Sequence, residues 1–186
     1  VTTKEEQSWE KIKRLFLKRI ELIRKGIGKV NIIVFGATGS LGMSVVKQAL
    51  DSGHQVKAFV RNLKSFTHSH IRLEIVKGNV LNQEDVITAV SGQDIIISAL
   101  GTGKSRKKTT VFSQGAQHII RAAEKSGIKR LICVTSAGVE DDPSFNLFYK
   151  ILRKTVFKNI YGDMCELPTT YASLRGWGFK RLVCVS

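Results

Sequence analysis

The chain has 186 residues, 42% hydrophobic and 24% charged, with a formal net charge of +15. That length and mixture suffice for one domain with its own core, which excludes a disordered or low-complexity chain and removes any need for a disulfide or metal staple. Membrane-spanning and zinc-bound classes are excluded too: no apolar run approaches the roughly 20 residues that cross a bilayer, and Cys133, Cys165 and Cys184 lack metal-ligand spacing. An odd cysteine count fits a reducing compartment, so a cytoplasmic location is expected.

Residues 1–29 hold nine basic and four acidic side chains, and residues 150–186 hold seven and two, so each end contributes +5. The remaining +5 is spread over residues 30–149, which argues against a single nucleic-acid-binding face. Within the first segment Trp9, Ile12, Phe16, Ile20, Ile23 and Ile27 recur at steps of three or four. That stripe with basic flanks predicts an amphipathic helix over about residues 4–25. Its expected uses are packing on its own domain or a second subunit, or docking on a protein partner or a membrane surface. Glu5, Glu6, Glu10 and Glu21 argue against a transit peptide.

From residue 30 onward, short β-branched runs alternate with helical stretches. Strands are predicted at 30–35, 55–60, 72–76, 94–99 and 129–135, and helices at 40–52, 83–91 and 109–126. The helices end in Ser52-Gly53, Ser91-Gly92 and Ser126-Gly127, where glycine can close the last turn. Runs such as Ile95-Ile96-Ile97 predict burial on both faces of the sheet. The expected fold is therefore α/β: a doubly wound, Rossmann-type parallel sheet in a three-layer α/β/α sandwich, spanning 30–186 and preceded by the extra helix of 1–29.

Directly after the first strand stands Gly36-Ala37-Thr38-Gly39-Ser40-Leu41-Gly42. Between a strand and a helix, Gly36 and Gly39 let the backbone turn tightly and approach a pyrophosphate at the helix N-terminus. Gly42 lets the helix pack close to the strand, and Thr38 and Ser40 add hydroxyl donors. The competing reading is a tight turn with no ligand. The second strand ends in Val60-Arg61-Asn62 with Lys64 behind it, where an NAD-binding chain would place a carboxylate. A guanidinium binds a 2′-phosphate in bidentate fashion, so Arg61 points to NADP(H).

Other polar features read as structural. His68 and His70 lack a third ligand, and no metal is expected. His54 and His118 read as surface or cap residues. The run Lys104-Ser105-Arg106-Lys107-Lys108 is either a solvated loop or a steering patch for an anion. It has no interleaved aromatic side chains, as single-stranded nucleic acid would want. Further on, residues 145–160 suggest a helix and 181–185 a sixth strand.

The glycine motif with Ala-Thr at its variable positions, the arginine after the second strand, and Thr135-Ser136-Ala137-Gly138 after the fifth resemble the atypical short-chain dehydrogenases. Within these the resemblance is to the NmrA-like and flavin reductase (biliverdin-IXβ reductase-like) group, over about residues 30–160. It implies that Gly36, Thr38, Gly39, Ser40 and Leu41 line the pyrophosphate and that Arg61 and Lys64 face the adenosine phosphate. Asn79, where relatives commonly carry Asp, and Val80 would flank adenine. Leu100, Gly101 and Thr102 would meet the middle of the cofactor, and Ser136 would stand beside the nicotinamide as the catalytic hydroxyl.

A tyrosine acid/base is not expected, because Arg153 and Cys165 stand four residues beyond Tyr149 and Tyr161 in place of lysine. Ser136 lacks the Gly-x-Ser-x-Gly surroundings of a triad nucleophile. The resemblance also implies further chain walling a substrate pocket after the sixth strand. The expected function is NADPH-dependent reduction of a small flat acceptor such as a flavin, tetrapyrrole or quinone. The alternative is a non-catalytic NADP(H) sensor that signals to a protein partner.

Overall fold

The computed structural model describes residues 28–103, 107–134 and 163. The predicted helix within 1–29, the residues 104–106, Ser136, Tyr149, Tyr161, Cys165, Cys184 and the predicted elements at 145–160 and 181–185 fall outside the described residues, save that Gly28 and Lys29 form an exposed, non-helical lead-in.

Five apolar strands are aligned in parallel: β1 (Asn31–Phe35), β2 (Gln55–Val60), β3 (Leu73–Lys77), β4 (Ile95–Ser98) and β5 (Leu131–Cys133). Their order is β3-β2-β1-β4-β5, with Ile32 opposite both Val56 and Ile95. Three helices make the crossovers: α1 (Ser40–Asp51), α2 (Gln83–Val90) and α3 (Ser113–Lys125). The period of two in each strand divides the sheet into two cores. Ile33, Phe35 and Ile96 pack with Val86 and Ala89 of α2 and Ile119 and Ala123 of α3. Ile32, Val34 and Ile97 pack with Val45, Val46 and Ala49 of α1 on the other side. This is the doubly wound Rossmann-type arrangement. Residues such as Ile95, Ile96 and Ile97 are buried on whichever side they face, whereas edge strand β3 leaves Glu74, Ile75 and Lys77 exposed.

Several boundaries differ from the sequence expectation for local reasons. The third helix starts at Ser113 rather than near 109, because the Thr109 hydroxyl accepts the Val111 N–H at 3.1 Å and holds a turn there. Among the described residues the fifth strand covers Leu131–Cys133, which pair in register with Ile96, Ile97 and Ser98 of β4, while the Arg130 carbonyl and the Val134 N–H close the ladder at its ends. The third strand sits one residue later than expected, starting at Leu73 opposite Val56.

His54 is a clear correction. It is fully buried, not a surface position, and its Nδ1 lies 3.4 Å from the Val30 N–H. Gly53, at φ +86, turns the chain back toward β2 and carries the next side chain inward. His118 is half-buried, with Nδ1 2.9 Å from the Val80 carbonyl, so it ties α3 to the loop after β3.

Candidate functional site

The strand order reverses direction between β1 and β4, which carry the chain off to opposite faces of the sheet. In such sheets a crevice opens outside the carboxyl ends of the two strands. Here a cleft of about 350 Å³ lies at those ends. One wall is Gly36, Thr38 and Gly39 after β1, and another is Phe59, Val60 and Arg61 at the end of β2. Asn79, Val80 and Leu81 come from the loop after β3, Ala99, Leu100, Gly101 and Gly103 from the loop after β4, and Val111 from the approach to α3.

The glycine loop is shaped by contact with the neighbouring strand. Gly36 has φ +77, and a Cβ there would run into the Ala99 carbonyl, with the Ala99 carbonyl carbon only 2.6 Å away. Gly42 needs its bare backbone against the loop rather than the strand: a Cβ would strike the Gly36 carbonyl and come within 2.9 Å of the Ala37 Cα, so α1 could not seat there. The loop is locked by Gly39 N–H donating to Gly36 O at 3.0 Å and Met43 N–H to Gly39 O at 2.8 Å.

The N-terminus of α1 is where the cleft's chemistry concentrates. The first N–H groups of a helix have no carbonyl a turn earlier to accept them. Gly39 is the N-cap, makes no side-chain cap hydrogen bond, and is followed by no acidic residue in the first turn. The amides of Ser40, Leu41 and Gly42 therefore start a helix whose dipole and donors suit an external anion. Among the described lining residues the only charged side chain is Arg61, an exposed cation at the end of β2. These residues fit a dinucleotide: a glycine loop packed tightly on the Ala99 backbone, an uncapped helix end whose donors suit a diphosphate, and a guanidinium in the same cleft.

The cleft unites most of the expected residues: Gly36, Thr38, Gly39, Arg61, Asn79, Val80, Leu100 and Gly101. The others are placed differently. Ser40 is exposed at the start of α1, where its carbonyl accepts the Ser44 hydroxyl at 3.0 Å. Leu41 turns its side chain to the α1-side core, leaving its backbone as the part that can face a phosphate. Gly42 is buried and serves packing. Thr102 is half-buried between two lining glycines. Lys64 stands in an exposed turn at Leu63–Ser65 and does not line the cleft; its N–H donates to Asn62 Oδ1 at 3.0 Å.

Asn79 has a defined setting. Its N–H donates to Asp85 Oδ2 at 2.8 Å, and its Oδ1 accepts the Leu81 N–H at 3.1 Å. Sequence reasoning missed Phe59, Val60, Leu81, Ala99, Gly103 and Val111. Ala99 and Phe59 were findable from their place at strand ends beside the reversal in strand order. Phe59 also packs tilted at 52° on Phe35, centroids 4.9 Å apart. For Leu81 and Val111 no local signal exists, since loop geometry alone brings them in. Among the described residues no group of three metal-binding side chains occurs. His70 instead accepts the Arg72 N–H through Nδ1 at 3.0 Å.

A family described as NAD(P)H-binding matches residues 36–166. The chain belongs to that family. Its domain is of the NAD(P)-binding Rossmann type. Among known proteins it is 33% identical over 107 residues to the photosystem II assembly factor Ycf39 of Synechocystis sp., covering 55% of this chain and 32% of that protein. It is 31% identical over 128 residues to the 3-beta-hydroxysteroid dehydrogenase of Mycolicibacterium neoaurum, covering 63% of this chain and 34% of that protein. The chain thus spans about a third of the length of these curated relatives. In fold it is similar to vestitone reductase from alfalfa, with a TM-score of 0.62 at 22% identity, covering 84% of this chain and 56% of that one.

Proposed function

We propose that the cleft takes NADPH in preference to NADH, and that the protein is a reductase of a flat electrophile, as in the flavin-reductase-like group. The observation that carries this is the uncapped start of α1 sharing one cleft with Arg61. The α1 amides hold the diphosphate, and Arg61 meets the 2′-phosphate that distinguishes the phosphorylated cofactor. Val80, Leu81 and Phe59 give the cleft an apolar wall on the side where a purine would lie. The Asn79 side chain is polarised by its Leu81 contact, which leaves Nδ2 as its donor toward a ligand. When bound, NADPH supplies a hydride at nicotinamide C4. The chain contributes orientation of two ring systems rather than a tyrosine acid, with Ser136, three residues beyond β5, as the hydroxyl beside the acceptor.

Mixing the purified protein with NADPH and FMN and following NADPH absorbance tests this. Oxidation well above a Gly39→Asp control is expected, and rates equal to that control reject the enzyme reading. A second reading is favoured by the likeness to Ycf39, whose name is that of an assembly factor. In it the domain senses NADP(H) and passes its state to a protein partner, for which the amphipathic segment of residues 1–29 is the proposed contact. Partner capture that depends on added NADP(H), without turnover, supports that reading over the first.

A further inference from the structure

The start of α3 is capped by a residue fifty positions away. Phe112, the N-cap, has an apolar side chain buried in the core and makes no side-chain cap. The donors at this end converge on Asp163 instead. Its Oδ2 accepts the Phe112 N–H at 2.8 Å, and its Oδ1 accepts the Ser113 N–H at 3.0 Å and the Ser113 hydroxyl. Asp163 is only 7% exposed. A buried carboxylate persists when several donors and a helix N-terminus replace its water, as they do here.

That end of α3 is also a wall of the cleft. Val111, one residue before the capped pair, lines it. Gly115, two residues after, is so close to other lining side chains that a Cβ would come within 3.2 Å of both Leu100 and Val80. The first turn of α3 is therefore wedged between Asp163 on one side and the cleft on the other.

We infer that Asp163 is a positioning residue for the cofactor cleft: its carboxylate fixes the first turn of α3, and through Val111 and Gly115 that turn sets the Leu100 and Val80 wall. This rests on the nucleotide reading of the cleft. Removing the carboxylate leaves three donors without an acceptor and lets the turn shift or fray, so the cleft is less often in its binding shape. The loss falls on the shared body of the dinucleotide and not on the 2′-phosphate, which Arg61 meets.

The test is NADPH and NADH affinity of full-length Asp163→Ala, measured at a temperature where circular dichroism shows it folded. Both affinities fall by about fivefold, the lower end for coupled sites, with the NADPH-to-NADH ratio unchanged. Hydrogen exchange at the Phe112 and Ser113 amides speeds up in the same variant. Affinities equal to wild type in folded Asp163→Ala overturn the role, whatever happens to its melting temperature. Should that variant fail to fold, Asp163→Asn decides: one acceptor oxygen is kept and the other becomes a donor facing a donor. Weakening of both nucleotides is expected, and wild-type affinity again overturns the role. If wild type binds neither nucleotide, the cofactor reading fails first, while the exchange rates still report whether Asp163 holds the turn.

Discussion

The N-termini of the three described helices are finished in contrasting ways. α2 caps itself: Asn82 Oδ1 accepts the Glu84 N–H at 3.1 Å, and Glu84 and Asp85 put negative charge in the first turn. α3 is capped by Asp163 from a distant segment. α1 has neither device, although a side-chain cap is worth about 1 kcal/mol. Its open end faces the cleft, at the strand-order reversal, with the glycine loop packed against Ala99. The contrast separates the one described helix end that carries no acceptor of its own, at the cleft, from two whose acceptors the protein supplies.

The sharpest way to break this contrast is to give α1 its own carboxylate. Gly39 is extended, at φ −75 and ψ 158, and a Cβ there meets nothing nearer than Gly36 O at 3.4 Å. Gly39→Asp therefore folds without strain. The new charge repels a diphosphate, and NADPH affinity falls by about 100-fold or more, since like charges placed together cost several kcal/mol. The melting temperature moves by less than about 2 °C, because aspartate exceeds glycine as a cap by only a few tenths of a kcal/mol.

A smaller effect separates the two nucleotides. Arg61→Ala weakens NADPH by about tenfold or more, the worth of a charge-assisted contact, and leaves NADH within about twofold. Equal loss for both in fluorescence titrations would remove the basis for NADPH preference. Lys64→Ala, at an exposed position outside the cleft, changes either affinity by less than about twofold.

The smallest binding effect comes from the opposite manipulation. Asn82→Ala removes the cap of α2 and lowers unfolding free energy by about 1 kcal/mol in urea titration. NADPH affinity stays within about twofold, because Asn82 does not line the cleft and Asp85 still holds the Asn79 N–H. A tenfold loss of affinity would erase the distinction between the two ends.

Much of this was legible in the chain. Alternation of β-branched runs with helices gave five strands and three helices, because helices cover both faces of the inner strands β1 and β4, whose residues are almost all apolar. Gly36, Gly39 and Gly42 declared the loop, since their spacing is dictated by one turn, one approach and one packing contact. What was not legible is what depends on distant partners. His54 looks like a surface histidine until Val30 is laid over it, and the Asp163 tie to Phe112 and Ser113 spans fifty residues. Lys64 is read beside Arg61 from their nearness in sequence; it stands in the exposed turn at Leu63–Ser65, and of the two only Arg61 lines the cleft. Leu41 is expected along the pyrophosphate without distinction of backbone and side chain; its side chain packs, partly buried, against the α1-side core.

Calorimetric titration of the wild type and Gly39→Asp with NADPH, beside circular dichroism of both, probes the central claim most directly. Saturable heat for the wild type and none for the variant, with matching spectra, is the expected result. Absence of heat from folded wild type with either nucleotide, or equal affinity in the folded variant, would contradict it.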